Sequence, residues 1–186
     1  MSAHSTIPLC CLRWLAPMLA GLFLTVAAPA VTAAAVGLAQ LPQRWLEDDG
    51  RTLAIDSLAG RRVVLTMAYA RCHVVCPQAV RQLQQIQSLL DSRGERVDFV
   101  IIGYDPDNDR PSDWRVYRAD RHLNRSNWHF LSGSRTDTER LARQLGFDFW
   151  RYDEHVMHDA RAVVFDVRGE LQLALGPESK SWASAL

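Results

Sequence analysis

Two nearly continuous apolar runs, at residues 63–69 and 97–103, stand out from a chain whose apolar positions otherwise alternate with polar ones. Runs of this kind suit strands buried on both faces of a sheet. Between them Val80, Leu83, Ile86, Leu89 and Leu90 recur at helical spacing, which predicts a helix from about Pro77 to Asp91, ended by Gly94. Strand, helix and strand in that order form a βαβ unit, so the two strands should lie parallel with a right-handed crossover.

The flanking pattern extends this unit on both sides. Leu53 and Ile55 fall on one face of a short strand at 51–55, an outer β-element before the turn at Ala59-Gly60. Residues 105–109 read as turn, Pro111-Ser112 can start a helix through Trp114 and Tyr117 to about Arg121, and 128–131 read as a short strand. Thr136-Asp137-Thr138-Glu139 is a capping-box pattern, opening a helix with Leu141 and Leu145 on one face and Gly146 at its end. A strand at 162–167, a turn at Arg168-Gly169 and the alternating Leu171, Leu173 and Leu175 make a terminal hairpin. The order predicts an α/β fold: a central mixed sheet flanked by helices, with an added N-terminal β-element and a C-terminal β-hairpin.

Composition divides the chain. Residues 1–39 hold one charged side chain, Arg13, followed by an apolar stretch from Trp14 to Ala28, then Pro29 and small residues. This is the pattern of an export leader, and Val31-Thr32-Ala33 and Gly37-Leu38-Ala39 both have the spacing that a signal peptidase reads. An uncleaved anchor is the alternative, since the charge-free span 14–39 exceeds the roughly 20 residues needed to cross a bilayer. Residues 1–39 are therefore assigned to a signal peptide or N-terminal membrane anchor, and 40–186 to one exported domain. That domain has 186 − 39 = 147 residues, enough to bury a core without disulfide staples. Its formal charge, 20 basic minus 21 acidic residues, is about −1, which disfavours nucleic acid as a partner.

The chemistry concentrates where the first apolar run ends, at Cys72-His73-Val74-Val75-Cys76-Pro77. Residues four apart share a helix face, so the two sulfurs can meet at the helix start, where Pro77 is tolerated in the first turn. The positive end of a helix lowers thiol pKa values and favours the thiolate, the form that attacks disulfides and binds metals. An inert structural disulfide would close only three intervening residues, where the entropic benefit is smallest. Thioredoxin-like reductases have two intervening residues and face the pair with a cis-proline. Here no proline occurs between Pro111 and Pro177, and Glu154-His155-Val156-Met157-His158-Asp159 stands before the strand at 162–167 instead. Two thiolates and an imidazole suit copper in its +1 or +2 state.

Other candidates read as structural. His155 and His158 would point to opposite faces of an extended segment, and Met157 reads as packing rather than a thioether ligand. His73 could compete for the metal but reads as a solvated loop imidazole, and His122 and His129 read as surface or satisfied core residues. Asp105, Asp107 and Asp109 start like a calcium loop, but Arg110 stands where glycine is needed and Val116 where a glutamate should close it. They read as turn formers, with one carboxylate expected near the thiols.

Taken together, Tyr69-Ala70-Arg71-Cys72 through Cys76-Pro77, then Gly103-Tyr104-Asp105-Pro106-Asp107-Asn108-Asp109, then His158 eleven residues before Gly169, resemble the Sco/SenC family of copper-binding thioredoxin-fold proteins. The resemblance runs from about Gln43 to Leu175. It implies copper held by Cys72, Cys76 and His158 and delivered to the dinuclear copper site of cytochrome c oxidase, or to another periplasmic copper protein. It also places the domain in the periplasm, free or anchored to the inner membrane. A thiol-disulfide oxidoreductase that reduces the cysteines of a copper-receiving partner, with Cys72 as the more exposed nucleophile, uses the same two thiols and is the alternative. Ala70, His73 and Met157 depart from the residues common in the family, and none of these departures removes a ligand.

Overall fold

The computed structural model describes residues 36–186 except 73, 74 and 154. These residues belong to one compact unit, Ala34–Leu186. Residues 1–35 of the segment assigned to a signal peptide or anchor, and His73, lie outside the described residues. Among those described, no helix is long and apolar enough to cross a membrane.

The two apolar runs form β3 (Arg62–Ala68) and β4 (Val97–Gly103), joined by α1 (Val75–Ser92) and paired in parallel from Arg62↔Val97 to Ala68↔Gly103. Alternate residues of β3 feed the two sides of the sheet. Val64 and Ala68 join Leu83, Ile86 and Leu90 of α1 in one core, while Val63, Leu65 and Met67 face the other. Beyond β4 lies β5 (Trp128–Ser132), parallel to it and reached through α2 (Pro111–Asp120). On the far side of β3 runs the hairpin of β8 (Ala162–Phe165) and β9 (Leu171–Leu175), with β8 antiparallel to β3. α3 (Arg135–Leu145) packs Leu141, Ala142 and Leu145 into the second core.

Three local predictions need correction. The outer strand at 51–55 shrinks to β2 (Thr52–Leu53), which pairs with an unforeseen β1 (Trp45–Glu47). Ile55 instead begins a 3-10 turn, Ile55–Leu58, that buries Ile55 and Leu58 and leaves Asp56 and Ser57 exposed. The cap of α3 is Ser134, not Thr136: the Ser134 hydroxyl accepts the Asp137 N–H, and Thr138 is buried inside the helix. Gly146, at φ 69°, ends α3 in the left-handed conformation as expected. The third correction is a separate two-stranded ribbon, β6 (Phe149–Tyr152) and β7 (His155–His158), in place of a single extended segment before residue 162. The seven-stranded sheet then has the order β2-β1-β5-β4-β3-β8-β9, antiparallel at both margins and parallel in the centre.

Candidate metal centre

Three pieces of chain meet at the carboxyl ends of β3 and β4. The turn after β3 carries Cys72, whose N–H donates to the Tyr69 carbonyl at 3.0 Å. The first turn of α1 supplies Cys76, and the Cys76 N–H donates to Cys72 Sγ at 3.2 Å. The helix start therefore points one of its free amides at the Cys72 sulfur. The end of β7 supplies His158, with Nε2 3.5 Å from Cys76 Sγ and 3.9 Å from Cys72 Sγ.

The orientation of His158 is fixed from two sides. Nδ1 lies 3.0 Å from the Asp159 carbonyl, which can only accept, so Nδ1 carries the proton and the Nε2 lone pair faces the sulfurs. Tyr104 lies tilted against the ring at 4.7 Å and Tyr69 stands edge-on at 5.8 Å. β7 also separates the two histidines as expected. His155 and Met157 are exposed while Val156 is buried and His158 partly so, which keeps His155 off the sulfur side. Met157 is 42% exposed and paired across the ribbon with exposed Trp150, so it is surface rather than packing.

The thiols do not behave as the helix position alone predicts. Cys76 is pushed far above the ordinary thiol range by its hydrogen bond with the Cys72 side chain, by burial, and by the nearby Cys72 charge. Two sulfurs this close cannot both carry charge without a cation between them. Cys72 is the more exposed of the two, but only at 3% against 1% for Cys76. Both are thiols, not a disulfide.

The anticipated nearby carboxylate is Asp109. It is 1% exposed, and its two oxygens accept the Ala70 N–H at 2.7 Å and the Asp105 N–H at 2.8 Å, tying the cysteine turn to the loop after β4. Burial pushes its pKa up to about 7 against the lowering effect of those two amides. Gly103 makes this possible, because a Cβ there would sit 2.7 Å from the Asp109 Cβ. Asp105 accepts from Arg151 of β6, linking the same loop to the ribbon that bears His158. Among the functional neighbours, Asp109 and Tyr104 were legible only as members of a turn-rich stretch.

The ligand atoms of Cys72, Cys76 and His158 lie within 4.8 Å of one another, and no other such group of three occurs among the described residues. Metal–ligand bonds of about 2.0–2.3 Å spread at trigonal or tetrahedral angles put ligand atoms roughly 3.5–4 Å apart, as the two sulfur–imidazole distances are. Soft sulfur with imidazole, buried and close, is a donor set for a soft or borderline metal ion.

Similarity to known proteins agrees with this geometry. The chain is 29% identical over 104 residues to a SCO1 protein homolog of Bacillus subtilis, an alignment covering 54% of this chain and 53% of that protein. The aligned part thus spans about half the length of that relative. In fold it is similar to a SCO1/SenC family lipoprotein from Bacillus anthracis, with a TM-score of 0.70 at 21% identity, covering 76% of this chain and 86% of that one. It is also similar to yeast Sco1 with copper bound, with a TM-score of 0.68 at 19% identity, covering 81% and 86%. Residues 40–184 match the SCO1/SenC family as a whole, and the chain belongs to that family.

Proposed function

We propose that this protein is an exported copper-handling protein that takes one copper ion as cargo through Cys72, Cys76 and His158. It passes the ion to the dinuclear copper site of cytochrome c oxidase or to a comparable periplasmic copper protein. The observation that carries the reading is the placement of His158 Nε2 3.5 Å from Cys76 Sγ and 3.9 Å from Cys72 Sγ. Thiol reduction by itself needs the two cysteines and leaves that arrangement without a purpose. The copper in the yeast relative, and the lipoprotein nature of the Bacillus anthracis relative, support both the cargo and an exported, membrane-tethered location. Thiolates suit hand-over, because an incoming sulfur ligand can replace them one at a time and the ion need never be free. Oxidation of Cys72 and Cys76 to a disulfide removes both sulfur ligands and is the empty state.

Copper titration of the reduced full chain beside His158→Ala tests this. Wild type should bind one equivalent and show sulfur-to-copper charge-transfer absorption in the +2 state. His158→Ala should lose at least about tenfold in affinity, a typical cost of removing or misorienting a ligand, with its thiol content unchanged. Full affinity in the variant refutes the three-residue site. In a host lacking the gene, His158→Ala should fail to restore oxidase assembly. Restoration would favour thiol reduction as the physiological act.

A further inference from the structure

The β6–β7 ribbon has two faces, and the three-residue site uses only one of them. That face carries Phe149 opposite His158 and Arg151 opposite Val156. The other carries the alternate pairs, Trp150 opposite Met157 and Tyr152 opposite His155. All four of these side chains are exposed, Trp150 at 56% and Tyr152 at 70%. The His155 imidazole has no hydrogen-bond or ion-pair partner among the described residues.

Residues two apart on one strand face have their Cβ atoms roughly 7 Å apart, a span that the unbranched, three-bond side chain of Met157 closes toward His155. Trp150 stands directly across from Met157, about 5 Å away at Cβ, near enough for its indole to cover an ion held by the pair. Thioether sulfur and imidazole nitrogen are donors that select copper in its +1 state over hard cations, and an indole face attracts a cation. This set has no thiolate, so it holds copper more weakly than Cys72, Cys76 and His158 do. It also lies on the same strand as His158, with Met157 its immediate neighbour.

We propose that the outer face of the ribbon is a second, exposed copper(I) site, formed by His155 and Met157 beside the Trp150 indole, which receives the ion before the buried site does. This deepens the copper reading and rests on it. Copper keeps its +1 state in the hand-over. The bonds to the Met157 sulfur and the His155 nitrogen break as those to Cys72 Sγ, Cys76 Sγ and His158 Nε2 form, and the thiol protons pass to water. A face that served only to dock another protein would need neither the thioether nor the imidazole.

The test uses the full chain with Cys10→Ser, Cys11→Ser, Cys72→Ser and Cys76→Ser, titrated with copper(I) in the absence of oxygen. This thiol-free chain should bind one equivalent and lose the emission of Trp150, read as the difference from Trp150→Phe. Met157→Leu, which keeps size and apolarity, and His155→Gln should each weaken that binding at least about tenfold. In the chain with its cysteines intact, the same two substitutions should leave the affinity of the buried site unchanged and slow its loading from a coloured copper(I)–chelator complex. The loading measurement needs no cysteine substitution, so it decides even where the thiol-free chain does not fold. Binding that survives both substitutions, or loading equally fast in both, overturns the proposal. If the intact chain takes up no copper at its thiols, the copper reading fails, while the thiol-free chain still decides whether the ribbon holds the ion.

Discussion

Asp109 is sealed from solvent, yet among the described residues no cation is paired with it, and its only compensation is two backbone amides. An unfolded aspartate gives up its proton near 3.8, whereas Asp109 in the fold keeps it to about 7. Between those values the folded state binds more protons, so this residue makes stability fall as pH rises from about 4 to 7 and leaves it level above. The roughly 3-unit gap sets an upper bound on the order of 4 kcal/mol. Asp109→Asn should remove that slope: in urea unfolding of the reduced, metal-free protein, wild type should lose stability relative to the variant across this window. A wild type that gains relative to Asn would show an ordinary, charged carboxylate. Nothing in a run of aspartates around a proline singles out the one that folds back under Gly103 to reach an amide 39 residues away. His158 was legible for the opposite reason, since its distance to a strand end and a turn glycine can be counted along the chain.

β1 touches the sheet through only two register pairs with β5, so its hold depends on side chains. Trp45 is buried and donates its indole N–H to the Pro42 carbonyl. Glu47 accepts from His129 Nδ1 at 2.7 Å, and His129 Nε2 reaches Asp98 of β4 at 3.1 Å. Arg61 pairs with Asp98 and Arg51 with Glu47, which completes the charged surroundings of the imidazole. Burial alone would lower the His129 pKa, but the hydrogen bonds and charges of Asp98 and Glu47 carry it above the usual value. A raised histidine stabilises fully below its unfolded pKa, and that contribution is lost as pH rises through the folded value. Exchange of the β1 amides, corrected for intrinsic rate, should therefore quicken as pH rises above the ordinary histidine range. His129→Leu should exchange rapidly throughout and lose about 1–3 kcal/mol, the cost of taking one hydrogen-bond partner from each carboxylate while Arg61 and Arg51 remain beside them. A pH-independent β1 would detach it from this cluster. The βαβ unit could be read from sequence because its residues are buried on both faces. The β6–β7 ribbon could not, because Val156 is its one buried side chain and Trp150, Tyr152 and Met157 face water, leaving no periodic signal.

At the scale of the whole molecule, the sheet brings together a thiol turn, a helix start and a ribbon 82 to 86 residues apart in sequence. Local pattern found the strands and helices, and the spacing of cysteines and histidine found the candidate ligands. Neither could fix where the folded unit begins. The segment assigned to the leader up to residue 39 overlaps the core: Leu38 is 1% exposed, its N–H donates to the Gly169 carbonyl at 2.8 Å, and Gly37 bridges Glu170. Leu171 in turn donates to the Val36 carbonyl, so 36–38 extend the turn of the β8–β9 hairpin. Cleavage after Ala39 would remove all of these contacts, while cleavage after Ala33 or an uncleaved anchor would keep them. Burying one leucine is worth about 1.5–3 kcal/mol, and the lost cavity contacts add to that. Mass and N-terminal sequencing of the protein isolated from its host should therefore give a start upstream of Val36. A protein beginning at Gln40 should unfold at a lower urea concentration than one beginning at Ala34, by roughly 2–5 kcal/mol. A natural start at Gln40 with undiminished stability would show that the core does without its first leucine.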